Sequence, residues 1–339
     1  KISPGFVSVG RLASSTKRSP DSQCLPDTAK TFSSFFLFTD ILNTKILWDL
    51  FNHESIGLMR LSMLLYIFFC KVFLILIAHK ISIISNLKNN YREFFFILLS
   101  LFFISLIDYD IDRQHGYKYI IYRELPVLIF AYIFIDYLLD RTKKITSIIL
   151  LSPLSVFSVM LSLDRGLVFN FIIILFIIFL IINNKYKQVF YLGISILICW
   201  IFTLLLLENE FIHFLQNSLY IITEINYVHG IIHPTPFSDQ PGASRGTKII
   251  ITILLSLIIS FYLFSKKEDF FSINLKIVLL FFSMLAFFGY FYALARTDVI
   301  HMRESFGYPL IFMTIFLLFI VIKYLSNIKL MKFIDNKKT

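Results

Sequence analysis

The sequence predicts an all-α, polytopic integral membrane bundle of about nine transmembrane helices, and three observations carry that prediction. Of the 339 residues, 57% are hydrophobic, above the roughly 45–50% of soluble domains. Mean hydropathy is +0.77. The charged residues, 16% of the chain, gather in short segments between long apolar runs, which leaves too little polar surface to clothe a soluble core of this size. The net charge of +10 comes from lysines and arginines at the ends of those runs. That is how cytoplasmic membrane flanks look, and it excludes nucleic acid as a partner.

Residues 1–34 are rich in Ser, Pro, Lys and Arg without helical apolar periodicity, so they are read as an irregular or disordered N-terminal segment. The chain begins with Lys1 and shows no signal-peptide pattern there, as expected of a fragment lacking an upstream helix. Residues 35–60 are too polar to span but amphipathic enough to lie at an interface, with Trp48 suited to the headgroup level. Spans are expected near 61–79, 93–108, 124–140, 145–162, 166–183, 188–207, 247–264, 273–295 and 307–325, because about 20 predominantly apolar residues, with roughly 17 tolerated, are needed to cross a bilayer. Residues 61–325 are thus the bundle and 326–339 a basic cytoplasmic tail. Cys70 and Cys199 fall inside apolar runs and Cys24 stands alone, so there is neither a disulfide framework nor a CxxC metal pair.

Topology follows from the loops. Lys80, Lys88 and Arg92 flank one, Arg141, Lys143 and Lys144 the next but one, then Lys185 and Lys187, then Lys266 and Lys267, then the tail. Every second loop is basic, which makes that set cytoplasmic. The other set, including residues 35–60 and the long segment 208–246, then faces outward, and it carries the unusual chemistry. Asp108, Asp110, Asp112 and Arg113 lie in one loop, Asp164 and Arg165 in the next, His229, His233, Asp239 and Arg245 in the third, and Arg296, Asp298, His301 and Arg303 in the last. Charges so close to hydrocarbon mark a functional site by default. A transporter would instead place its key groups near mid-depth, where Lys71 and Asp136 are the main candidates.

Each constellation has two readings. Asp108-x-Asp110-x-Asp112 opens like a calcium loop, but Arg113 stands where Gly is required and Tyr119 where Glu is required, so it is no EF-hand. Those carboxylates either share a divalent ion or form a hydrated acidic turn. No metal or other cofactor is otherwise implied. His229 and His233 lack the Glu of a zinc-protease motif, and the Pro- and Gly-rich stretch from His233 to Gly246, including Arg245, reads as a loop that either clamps an acceptor or merely connects. Asp164-Arg165-Gly166 has almost no spacer on either side. Its arginine either forks onto a phosphate or forms a structural salt bridge. No P-loop, GxGxxG, GxSxG or HExxH pattern is present, which removes nucleotide hydrolysis and serine or zinc hydrolase chemistry.

The segment from Asp40 through Asp49 and Glu54 to Gly57 resembles the first outward loop of multispanning GT-C-type glycosyltransferases, although Thr44 stands where Gly is usual and no acidic motif precedes Phe35. Asp164-Arg165-Gly166 and Arg296-Thr-Asp298-x-x-His301 resemble motifs of uncharacterised bacterial members of that group. The resemblance implies a GT-C-like membrane enzyme of the bacterial inner membrane. Such an enzyme takes a sugar from a polyprenyl-phosphate donor on the extracytoplasmic face and passes it to a glycan, lipid or protein acceptor, using a carboxylate in the first outward loop. On that expectation Asp49 is the base, with Asp40 or Asp164 as substitutes. Arg165, Arg296, His301 and Arg303 hold the phosphate, Asp298 orients one of them, and His233 and Arg245 belong to the acceptor loop. Two alternatives stand beside it: an O-antigen polymerase or ligase acting on an undecaprenyl-diphosphate-linked glycan, and a transporter or lipid flippase.

Overall fold

The computed structural model describes residues 47–52, 55–107, 119–139, 144–229, 236–240, 243–266, 270–294 and 299–327. By internal contacts the chain divides into Lys1–Leu37 and Phe38–Thr339, and everything described lies in the second unit. The described residues are helical, with no strand among them. In order the helices are α1 (Ile56–Ile84), α2 (Asn89–Ser105), a 3-10 turn (Tyr122–Glu124) leading into α3 (Leu125–Leu138), α4 (Lys144–Ile149), α5 (Leu151–Leu161), α6 (Leu163–Ile182), α7 (Tyr186–His229), α8 (Ala243–Ser265), α9 (Ile273–Leu294), α10 (Val299–Ser305) and α11 (Gly307–Asn327).

Local chemistry sets several boundaries. Ser55 caps α1, its Oγ accepting from the Leu58 amide at 3.2 Å, so one of the orphan donors of the first turn is satisfied. The indole of Trp48 donates to the Ser55 carbonyl at 3.0 Å and ties the preceding helical turn, residues 47–51, to this cap. Asn86 and Asn184 sit at φ 52° and 56° just past α1 and α6, the left-handed geometry that asparagine tolerates better than most residues. Pro126 in the first turn of α3 needs no amide partner there.

Six helical stretches are long and apolar enough to cross a membrane: Leu64–Ile84, Arg165–Ile182, Tyr186–Asn209, Ala243–Ser265, Ile273–Tyr290 and Met302–Ser326. The chain is a helical integral membrane protein. Each segment expected to span contains a helix among the described residues, but in three of them the helix falls short of that length. Helix α2 has 17 residues and opens on Asn89, Asn90, Arg92 and Glu93. Helix α5 has 11 residues and follows the break after α4. Helix α3 has 14, about 21 Å at 1.5 Å per residue against a hydrocarbon core of roughly 30 Å. The segment 208–246, expected to be an outward loop, also differs from a plain loop. Helix α7 continues to His229, and α8 already begins at Ala243. At Glu208, φ 44° and ψ −122° break α7. Beyond the break Phe211 and Phe214 are buried while Ile212, His213 and Leu215 are exposed, an i, i+3 spacing that gives the first turns after the break a buried side.

The core is aromatic. Phe130 of α3 meets Phe169 and Phe176 of α6 at 5.8 and 5.7 Å between ring centroids and Phe281 of α9 at 5.7 Å, while Phe95 of α2 meets Phe319 of α11 at 6.4 Å. Helix α1 packs on α2 and α3, α5 on α6, and α9 on α8 and α11. Small residues allow close approach where helices cross: Ser260 of α8 donates to Ser283 of α9 at 3.2 Å. The tightest crossing is α5 on α6, where a Cβ at Gly166 would fall 2.3 Å from Val159 Cα. Gly166→Ala is therefore expected to destabilise the bundle by about 1–3 kcal/mol. The readout is the midpoint of thermal unfolding in mild detergent, and an unchanged midpoint would show that the two helices do not touch there.

Candidate functional site

Where α3, α6 and α11 begin, four buried polar side chains meet. Arg165 of α6 is 3% exposed. Its Nη1 lies 2.6 Å from Glu124 Oε1 and its Nη2 lies 3.3 Å from Glu304 Oε2. The Tyr308 hydroxyl of α11 donates to the other oxygen of Glu124. Cys70 of α1 is near enough to Glu124 to interact with it electrostatically. Buried ions are costly unless paired and hydrogen-bonded, and here one guanidinium is shared by two carboxylates while a phenol supplies a further donor. The formal charge of the set is one negative.

The backbone holds these groups in place. Gly166 follows Arg165 at the α5–α6 crossing, and a Cβ at Gly307, just before Tyr308, would fall 2.3 Å from the Tyr119 carbonyl oxygen. At both points only hydrogen fits, so main chain rests on main chain beside a charged or phenolic residue. Gly289 of α9 lies against the Tyr308 ring, a Cβ there being 3.5 Å from Cδ2. The neighbouring Tyr290 has a buried hydroxyl without a hydrogen-bond partner among the described residues, a group that would gain from a polar ligand.

A second ion pair fixes the direction of the frame. Lys80 of α1 pairs with Asp136 of α3, their side chains 14% and 4% exposed. Cys70 and Lys80 follow each other along α1 as Glu124 and Asp136 do along α3, so the two helices run the same way. Glu124 and Asp136 are about 18 Å apart along α3. Helix α1 begins 14 residues before Cys70, about 21 Å further out. The Glu124 cluster is therefore recessed below the start of α1, in line with the shortness of α3.

The 3.3 Å contact between Arg165 and Glu304 joins two motifs that are far apart in sequence, the Asp164-Arg165-Gly166 turn and α10 with His301 and Arg303. Arg245 comes to the same end: it lies in the first turn of α8, and its neighbour Gly246 abuts Pro236 and Met302 of α10, with 3.2 and 3.4 Å to a Cβ built there. Arg245, Arg303 and Asp49 are exposed. Asp49 belongs to the helical turn before α1. No known family, curated protein or solved structure matches the chain. Its chemistry is legible only in its own residues.

Asp164 and His301 have helical backbones, and their side chains are outside the described residues. Asp40, Asp108, Asp110, Asp112, His233, Arg296 and Asp298 also lie outside them. Among the described residues no group of three or more His, Cys, Asp or Glu could hold a metal ion. Of the two mid-depth candidates, Lys71 is half-buried, whereas Asp136 sits near the C-terminal end of α3 and pairs with Lys80. Sequence reasoning did not assign Glu124, Glu304 or Tyr308 to the site. One signal was available: Glu124, Arg165 and Glu304 each stand at the head of an apolar run on the same side of the predicted topology.

Proposed function

We propose that this chain is a GT-C-like glycosyltransferase of a bacterial inner membrane, with nine crossings, α2, α3 and α5 being the short ones. It would take a sugar from a polyprenyl-phosphate donor at the extracytoplasmic face and pass it to an envelope glycan, lipid or protein. The observation that carries this reading is the Arg165–Glu304 pair, which gathers the Asp164 turn, α10 and, through Met302, the Arg245 turn at one end of the bundle. Glycosyl transfer from a lipid phosphate needs a base for the acceptor hydroxyl and cations for the charge developing on the leaving phosphate. The exposed Asp49 is the base in this scheme. Because Glu124 and Glu304 occupy the Arg165 guanidinium, phosphate contact falls to Arg296, Arg303 and His301, while Arg165 positions α10 through Glu304.

The exposed Arg245 beside α10 favours a second reading, a polymerase or ligase acting on a diphosphate-linked glycan. A transporter is less well supported, since Asp136 lies at the far end with Lys80. The test is a cell-free assay with membranes holding the full-length protein and radiolabelled polyprenyl-phosphate sugars. Wild type should transfer label, and Arg296→Ala should lose about 10²–10³ in rate, as loss of one charge-stabilising donor commonly does. Asp49→Asn should be inactive. Near-normal transfer by Arg296→Ala would remove that residue from the mechanism. Absence of transfer by folded wild type from every monophosphate donor would favour the diphosphate-linked substrate.

A further inference from the structure

At the opposite end of the bundle, where α8 stops at Ser265 and α9 starts at Ile273, a cavity of about 480 Å³ opens between α8, α9 and α11. Its volume is within the range of roughly 300–1,000 Å³ typical of ligand sites. Six apolar or aromatic side chains line it, Leu263, Phe271 and Phe316 among them, together with two lysines, Lys266 and Lys276. Phe271 and Phe316 stack at 5.9 Å and form a flat apolar wall, while Tyr262 and Phe270 are 57% and 38% exposed, so the cavity opens to the outside of the bundle.

Lys276 is the unusual member. It is 7% exposed, and its Nζ donates to the Lys266 carbonyl oxygen at 2.9 Å. An ammonium has three donors, and among the described residues the ion pairs involve Lys80 and Arg165, not Lys276. The neighbouring cations do not relieve it: Lys266 lies over the Tyr262 ring at 5.5 Å and Lys323 over the Phe270 ring at 6.0 Å. Among the described residues this buried ammonium has one neutral acceptor and a second lysine, Lys266, in the same cavity, an arrangement that is costly until an anion arrives. Basic pockets between membrane helices at the end that carries the lysines suit anionic lipid headgroups, and the apolar wall has the chemistry of an acyl-chain surface. A soluble anion would leave that wall uncovered.

We infer that this cavity binds an anionic phospholipid of the surrounding bilayer, its phosphate on Lys276 and Lys266 and an acyl chain along Phe271 and Phe316. The inference does not depend on the glycosyltransferase reading.

The test is thermal unfolding of the purified full chain in neutral detergent micelles doped with phosphatidylglycerol, phosphatidylcholine or inorganic phosphate. Phosphatidylglycerol should raise the wild-type midpoint in a saturable way, and the other two should not. Lys276→Met should weaken the apparent affinity about five- to tenfold, the size expected for one lysine near an anionic lipid, and Lys276→Arg should retain it. Ile259→Trp, which fills the cavity and leaves both lysines, should lose the effect too, and it decides the matter if Lys276→Met fails to fold. A wild-type response to phosphatidylglycerol in both Lys276→Met and Ile259→Trp, or equal stabilisation of wild type by phosphatidylcholine or by inorganic phosphate, overturns the assignment.

Discussion

Replacing Arg165 by methionine is expected to destabilise the folded bundle by about 3–5 kcal/mol, because removing one partner of a buried ion pair strands the other. Here it strands two carboxylates at once, Glu124 at 2.6 Å and Glu304 at 3.3 Å. The Tyr308 hydroxyl stays with Glu124 but cannot neutralise it. Adding Glu124→Gln and Glu304→Gln to Arg165→Met should recover much of the loss, since a buried charged set replaced by neutral groups of similar size is often tolerated. Glu304→Gln alone should cost less, as Arg165 keeps its shorter partner. The measurement is the unfolding midpoint in mild detergent for wild type and the three variants. A wild-type midpoint for Arg165→Met would show that no buried triad exists, and equal losses in the single and triple variants would show that stranded charge is not the cause.

Asp136→Asn is expected to have an effect of the same order, about 3–5 kcal/mol, at the other end of α3. It removes the counter-charge of Lys80, whose side chain is 14% exposed, and among the described residues leaves it only the neutral amide oxygen of the asparagine and the Tyr132 ring at 5.3 Å. A cation over an aromatic face recovers only about 0.5–2 kcal/mol. The double variant Lys80→Met with Asp136→Leu should return to the wild-type midpoint or exceed it. Additive losses in the double variant would refute the pairing. On the glycosyltransferase reading proposed above, transfer should survive in this double variant, because the pair lies about 18 Å along α3 from Glu124, whereas Arg165→Met should impair it through α10.

The helices were legible because apolar runs of the right length leave few other choices in a bilayer, and each expected span has a helix in its place. Their lengths were harder to read. Tyr122, Arg123 and Glu124 continue into Leu125 without an obvious stop, and only the pairing of Lys80 with Asp136 and the nearness of Cys70 to Glu124 show that α3 begins below the start of α1. The second half of α7 was missed because Glu208, Asn209 and Glu210 read as the start of a loop, while the Phe211 and Phe214 stripe that keeps the chain helical is short. The site was half legible. Arg165 stood out as a charge trapped between two apolar runs, yet both the phosphate and the salt-bridge accounts fitted it, since its partners are 41 residues upstream and 139 downstream. A contact of that range leaves no periodic trace in sequence. Gly166 and Gly307 likewise look like ordinary helix-start glycines until the opposing backbone is seen.

The two buried ion clusters also give the bundle an electrical polarity. The set at the head of α3 carries one formal negative charge, while the pair at its foot is neutral and is joined by the lysines of the α8–α9 end. In the orientation proposed above, an inside-negative membrane potential draws the lysine-rich end inward and pushes the negative cluster outward, the same direction in which flanking lysines orient a chain during insertion. Moving one charge across the whole membrane is worth about 2.3 kcal/mol per 100 mV. The cluster lies at a fraction of that depth, so the voltage contributes a fraction of that energy, and it does so continuously for as long as the cell maintains its potential.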